Sequence, residues 1–148
     1  MSNHPLFLLY RALSLWSSRR IKLDRDPASI RFEDRGESFS AFRKVVVKRR
    51  APQPELPGAT FQVRFQFKNL SATTNRFLSL LPIPLIVSQP GLRSKTWLLG
   101  ERSGDFIGLY EFDTVEAAEA YWRSLPMKLM RRRAAPGSLR REVRPAGS

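Results

Sequence analysis

The clearest pattern in the chain runs from Phe61 to Lys68, where Phe61, Val63, Phe65 and Phe67 alternate with Gln62, Arg64, Gln66 and Lys68. Successive side chains of a strand point to opposite faces, so a period of two predicts a strand with one aromatic and one polar face. The period then changes. Leu70, Phe77, Leu78 and Leu80-Leu81 recur on one side of the stretch that starts at Asn69, which predicts a helix over 69–79 stopped by Pro82. The proline-flanked Ile83-Pro84-Leu85-Ile86-Val87 reads as an extended or irregular cover over the core. After the Pro90-Gly91 turn, Leu92 to Leu99 and Asp105 to Phe112 flank the loop Gly100-Glu101-Arg102-Ser103-Gly104 as two antiparallel strands. Asp113-Thr114-Val115-Glu116 opens a second helix, capped by Asp113 or Thr114, which carries Ala118, Tyr121, Trp122 and Leu125. Pro126 interrupts it, Met127 to Ala135 resumes it, and Pro136-Gly137 precedes a last strand from Ser138 to Arg144.

Strand, helix, strand, strand, helix, strand is the split order of a ferredoxin-like α+β fold: an antiparallel four-stranded sheet with both helices on one face. Its other face is expected to be bare and to be covered by a second copy, making a homodimer. Upstream, Leu6, Leu9, Leu13 and Trp16 line one side of an amphipathic helix, and Ser29 to Glu33 and Phe39 to Val47 form a hairpin about Asp34-Arg35-Gly36-Glu37. Three prolines and a glycine between Ala51 and Gly58 read as a linker. The expected organisation is therefore a basic N-terminal extension over residues 1–50, a linker over 51–58 and the ferredoxin-like domain over 59–145. Arg11 breaks the apolar run of residues 5–20, which is too short to span a bilayer and has its charges on the wrong side for a secretory signal. The expectation is a cytoplasmic protein whose residues 5–20 pack on protein or make a peripheral membrane contact.

Composition narrows the chemistry. With 148 residues, 42% of them hydrophobic, the chain holds one core but not two ordinary domains. The absence of cysteine excludes disulfides, thiolate nucleophiles and iron–sulfur clusters, and a single histidine, His4, excludes a two-histidine metal site. Twenty-six Lys and Arg against 13 Asp and Glu give a net charge of +13, so an anionic neighbour is plausible on charge alone. Twelve of the cations fall in residues 1–50 and eight after residue 122, with Lys48-Arg49-Arg50, Arg131-Arg132-Arg133 and Arg140-Arg141 as the densest groups. The aromatics of 61–67 alternate as a core face does and not as a base-stacking surface, which argues against nucleic acid.

The residues Pro90-Gly91-Leu92-Arg93-Ser94-Lys95-Thr96-Trp97-Leu98, then Gly108-Leu109-Tyr110, then Glu116-Ala117-Ala118-Glu119-Ala120-Tyr121 resemble the dimeric α/β-barrel superfamily. Within it the chain is similar to the small YdhR-like proteins and the antibiotic-biosynthesis monooxygenases over about residues 59–145. The resemblance implies a barrel built from the sheets of two copies, with a mostly apolar pocket between each sheet and its helices. It also implies oxygen chemistry in some members without metal, haem or nucleotide, where an electron-rich substrate supplies the reducing power once deprotonated. Members that use haem need an axial histidine in the domain, and residues 59–145 contain none.

A cofactor-free oxygenase needs an apolar slot and groups that deprotonate a substrate or stabilise its anion. Trp97, Tyr110, Tyr121 and Trp122 are the candidates to line the slot, with Phe77 and Phe106 deeper. Lys95, Arg93 and Asn75 are the candidate catalytic groups, with Arg76 beside Asn75. Arg93, Lys95 and Trp97 stand two apart and are expected on one strand face. Glu111 and Asp113 are the carboxylates that could act as a base. No metal site and no bound cofactor is expected. The function expected is a cofactor-independent monooxygenase acting on a hydrophobic or aromatic small molecule. The alternative is a non-catalytic ligand-binding or accessory protein whose basic arm and tail contact an anionic partner.

Overall fold

The computed structural model describes residues 21–24, 30–47, 56–66 and 86–145. The helices expected at 5–16 and 69–79, the cluster Lys48-Arg49-Arg50 and most of the linker lie outside the described residues. Seven strands and two helices are described: β1 (Ile21–Asp24), β2 (Arg31–Asp34), β3 (Glu37–Val47), β4 (Ala59–Phe65), β5 (Leu92–Gly100), β6 (Phe106–Phe112), α1 (Val115–Trp122), α2 (Leu125–Arg133) and β7 (Arg140–Pro145). They form one antiparallel sheet in the order β1-β3-β5-β6-β4-β7, with β2 also paired to β3. The segment β5-β6-β4-β7 is the ferredoxin-like core. The sheet is open and has seven strands in place of the expected four, because β3 hydrogen-bonds along β5 and brings β1 and β2 with it. Strands β1, β2 and β3 thus belong to the same sheet as the core.

Local sequence explains the main features. Phe61, Val63 and Phe65 of β4 are buried on the helix side, as their alternation requires. The β2–β3 hairpin turns through Arg35 and Gly36, both at positive φ (50° and 78°), the geometry of a two-residue turn whose twist matches its strands. Gly36 adopts it freely, whereas Arg35 does so at a steric cost. Thr114, not Asp113, caps α1, its Oγ1 accepting from the Ala117 amide at 3.0 Å. Pro126 does not interrupt a helix. It sits in the first turn of α2, where a missing N–H costs nothing.

The core on the helix side joins Val45, Phe61, Tyr110 and Phe112 to Ala118, Tyr121 and Met127. The face away from the helices is not bare. Phe39, Ala41, Leu98 and Ile107 are buried there, with Ile30, Phe32 and Leu109 packed around them. Strand β3 serves both faces. A bulge at Phe42 leaves Ala41 opposite Leu98 and Arg43 opposite Trp97, so its buried residues point away from the helices before the bulge and towards them after it.

The sheet also curls. Arg64 of β4 pairs with Asp34 at 2.9 Å, Glu37 at 3.0 Å and Asp105 at 2.8 Å, although β5 and β6 separate β4 from the strand that carries Glu37. Only a sheet bent towards the side opposite the helices brings these groups together. Glu37 Oε2 also accepts from the amides of Ser103 and Arg102 and from the Ser103 hydroxyl. Those bonds, the Ser103 amide foremost, outweigh burial and hold the Glu37 carboxyl below its ordinary range. Among the described residues no helix is long and apolar enough to cross a membrane.

Candidate functional site

Between the sheet and the helices lies a cavity of about 50 Å³. Strand alternation builds its floor: Lys95 and Trp97 of β5 stand opposite Tyr110 and Gly108 of β6, all on the helix side. Phe65 and Phe106 close one end, and Tyr121, Pro126 and Met130 descend from the helices. Gly108 makes the floor possible. A Cβ there would meet the Tyr110 ring at 2.9–3.3 Å, so glycine alone lets that ring lie across its own strand.

The rings are locked together. Tyr121 donates its hydroxyl to the Tyr110 oxygen at 3.1 Å, and the two ring centroids are 4.8 Å apart. Phe61 packs on both, at 5.5 Å from Tyr110 and 5.9 Å from Tyr121. Burial pushes both phenols above their ordinary pKa, and for Tyr121 the neighbouring Tyr110 adds to the shift. Both hydroxyls therefore stay protonated at neutral pH.

Lys95 is the unusual member. It is only 7% exposed, and its Nζ lies 4.4 Å from the Trp97 ring centroid and 4.8 Å from that of Tyr110. Among the described residues no carboxylate pairs with it. Arg43, 5.2 Å from the centroid of the same Trp97 ring, adds like charge instead. Burial first and Arg43 second drive the Lys95 pKa well below its ordinary value. Ring faces attract a cation, but by less than the several kcal/mol that removing an ammonium from water costs. The outcome is an amine that gives up its proton more readily than an ordinary lysine, in an aromatic cavity.

Of the residues expected to form the site, Lys95, Trp97, Tyr110, Tyr121 and Phe106 come together here. Arg93 does not join them. It is the extra residue of a β-bulge between Leu92 and Ser94, which breaks the expected alternation, and its Nη1 donates to the Leu56 carbonyl at 2.8 Å. Trp122 does not line the cavity: its ring lies between the guanidinium groups of Arg131 and Arg141, at 4.5 and 4.6 Å. Glu111 faces away from the helices and accepts from the Ser94 hydroxyl at 2.6 Å. Asp113 stands near Arg93. Asn75, Arg76 and Phe77 lie outside the described residues.

Several contributors were not foreseen, among them Gly108, Arg43 and Met130. Gly108 was legible in the Gly-x-Tyr spacing, since a large ring two residues along a strand needs a space beside it. Arg43 carried no such signal, because only the bulge at Phe42 turns it towards Trp97. Met130 on α2 completes the rim. Among the described residues no cluster of three or more His, Cys, Asp or Glu is placed to hold a metal ion.

No family model matches the chain, and no curated protein is similar to it in sequence. Solved structures share its fold at low identity. A ferredoxin-fold protein related to antibiotic biosynthesis monooxygenases, from Listeria monocytogenes, is 10% identical over 76% of this chain and 66% of its own, with a TM-score of 0.51. An anthrone oxidase-like protein is 17% identical over 76% of this chain and 57% of its own, at a TM-score of 0.52. A heme-degrading enzyme from Listeria monocytogenes is 12% identical over 75% and 72%, at 0.53. These likenesses establish the ferredoxin-like fold. Haem does not fit the residues present, since no histidine occurs in 59–145 to serve as its axial ligand.

Proposed function

We propose that the cavity beneath α1 and α2 carries an oxygenase reaction on a small hydrophobic or aromatic molecule, without metal, haem or nucleotide. The observation that carries this reading is Lys95, a buried amine with no carboxylate partner among the described residues, set against Trp97 and Tyr110. An amine whose pKa is lowered is more readily free to accept a proton, so Lys95 acts as the general base towards an acidic C–H or phenolic O–H. The ammonium it becomes then offsets the charge of the substrate anion, in a site where water does not screen the pair. The Tyr110 hydroxyl, kept protonated by burial and accepting from Tyr121, supplies a donor on the same wall.

The electrons come from the substrate. A methylene flanked by aromatic groups loses two hydrogens and gains one oxygen atom from O₂ to become a carbonyl, and the second oxygen atom leaves with those hydrogens as water. No external reductant is consumed. The neighbours described as monooxygenase-related and anthrone oxidase-like support this class of reaction. At about 50 Å³ the cavity is smaller than the ~150 Å³ that accommodates a benzene ring. A ring-sized substrate therefore enters by displacing its rim, where the unbranched, flexible Met130 is the side chain that yields.

The test is oxygen uptake with a panel of anthrone- and quinol-type substrates. Turnover is expected from the unaltered protein and a loss of at least about 100-fold from Lys95→Met, the lower range for a general base. No uptake across the panel, or full uptake by a folded Lys95→Met protein, would overturn the reading.

A further inference from the structure

We infer that Lys95 is a carbonyl-capturing amine, which condenses with a small aldehyde or ketone entering the cavity to form an imine. The geometry carries the inference. Lys95 lies on the cavity wall, its Nζ is held over two rings, and no carboxylate among the described residues pairs with it. A lysine used only for stability would pair with an anion or reach solvent. The other described lysines are placed that way, Lys22 and Lys128 exposed and Lys44 half-buried.

Among the described residues, the titratable and charged groups facing Lys95 are Arg43 from β3, Tyr110 from β6 and Tyr121 from α1, while α2 presents Pro126 and Met130. None of these is a carboxylate. Burial and the Arg43 charge lower the pKa of the amine and so favour the form whose lone pair is available as a nucleophile. The step balances without a redox partner. The amine nitrogen attacks the carbonyl carbon, a C–N bond forms, and the carbonyl oxygen departs with the two N–H protons as water, leaving C=N. The buried Tyr110 hydroxyl is a donor on the same floor, suited to hydrogen-bonding the departing oxygen.

Cavity size sets the ligand class. About 50 Å³ with aromatic and aliphatic walls takes a carbonyl compound of a few heavy atoms and apolar substituents, not a sugar. This inference uses the same cavity as the oxygenase reading but not its chemistry, so the two fail separately.

The experiment is reductive trapping on the unaltered protein: brief exposure to acetaldehyde and cyanoborohydride at neutral pH, then peptide mass spectrometry. At that pH roughly one ordinary lysine in a thousand is unprotonated, so Lys95 is expected to be ethylated at least about ten-fold faster than Lys22 and Lys128. Labelling of Lys95 no faster than those two, or none at all, would overturn the inference. Oxygen uptake with Lys95 unlabelled would leave the oxygenase reading standing and remove this one. Rapid labelling without oxygen uptake would do the reverse.

Discussion

Arg64 and Lys95, on opposite faces of the sheet, are both sheltered from water, and the two faces treat them in opposite ways. On the side away from the helices, Arg64 is met by Asp34, Glu37 and Asp105. On the helix side, Lys95 is met by the rings of Trp97 and Tyr110 and by the like charge of Arg43. Arginine keeps its proton under nearly any condition, and its planar fork suits several carboxylates at once, so the first arrangement is a clamp. It ties the β2–β3 hairpin to β4 across the curl of the sheet. Lysine can surrender its proton when desolvated, so the second arrangement produces a reactive group. The difference teaches that burial alone does not mark a site. A buried cation without an anion does.

The largest effect should come from breaking the clamp. Arg64→Ala leaves three carboxylates facing one another without their cation, and unfolding in urea should show a loss of about 3–5 kcal/mol. A loss below about 1 kcal/mol would mean that the cluster is solvated and that the sheet's curl does not depend on it. The cavity side can be broken sterically. In Gly108→Ala the new methyl group meets the Tyr110 ring, and a destabilisation of about 1–3 kcal/mol is expected, together with a changed near-ultraviolet signal from the displaced tyrosine. A variant indistinguishable from the unaltered protein would show that Tyr110 does not lie over Gly108.

The smallest effect sharpens the contrast most. Lys95→Met should leave stability at neutral pH unchanged or raised, since an apolar chain of similar length replaces an amine that no carboxylate among the described residues pairs with. The sign of its pH dependence follows from linkage. Because the folded-state pKa of Lys95 is lowered, the unfolded chain binds more protons between that value and 10.5, and stability should rise with pH through that window. Lys95→Met should abolish that rise. Persistence of the same slope in the variant would assign it to another group.

Much of the ferredoxin-like core was legible because period and punctuation agree there. Phe61 to Phe65 alternate cleanly, Pro90-Gly91 turns the chain, and Thr114 with Glu116 marks a helix start. The placement of Lys95, Trp97, Tyr110 and Tyr121 about one cavity follows from that same register. The illegible part has one physical cause: a bulge changes which face every later residue points to, and nothing in the sequence announces it. The bulge at Arg93 took that residue out of the site, and the bulge at Phe42 brought Arg43 into it. The pairing of β3 with β5 was hidden for a different reason. It joins residues about fifty apart in sequence, across a proline-rich stretch that reads as a boundary. The Arg64 clamp depends on that pairing and was equally out of reach.

The central claim is that Lys95 gives up its proton well below the ordinary lysine range, and NMR titration of the Lys95 ammonium in selectively labelled protein measures it directly. The account expects one lysine to titrate well below the others, and that signal to disappear in Lys95→Met. Six lysines that all titrate near their ordinary value of 10.5 would contradict it.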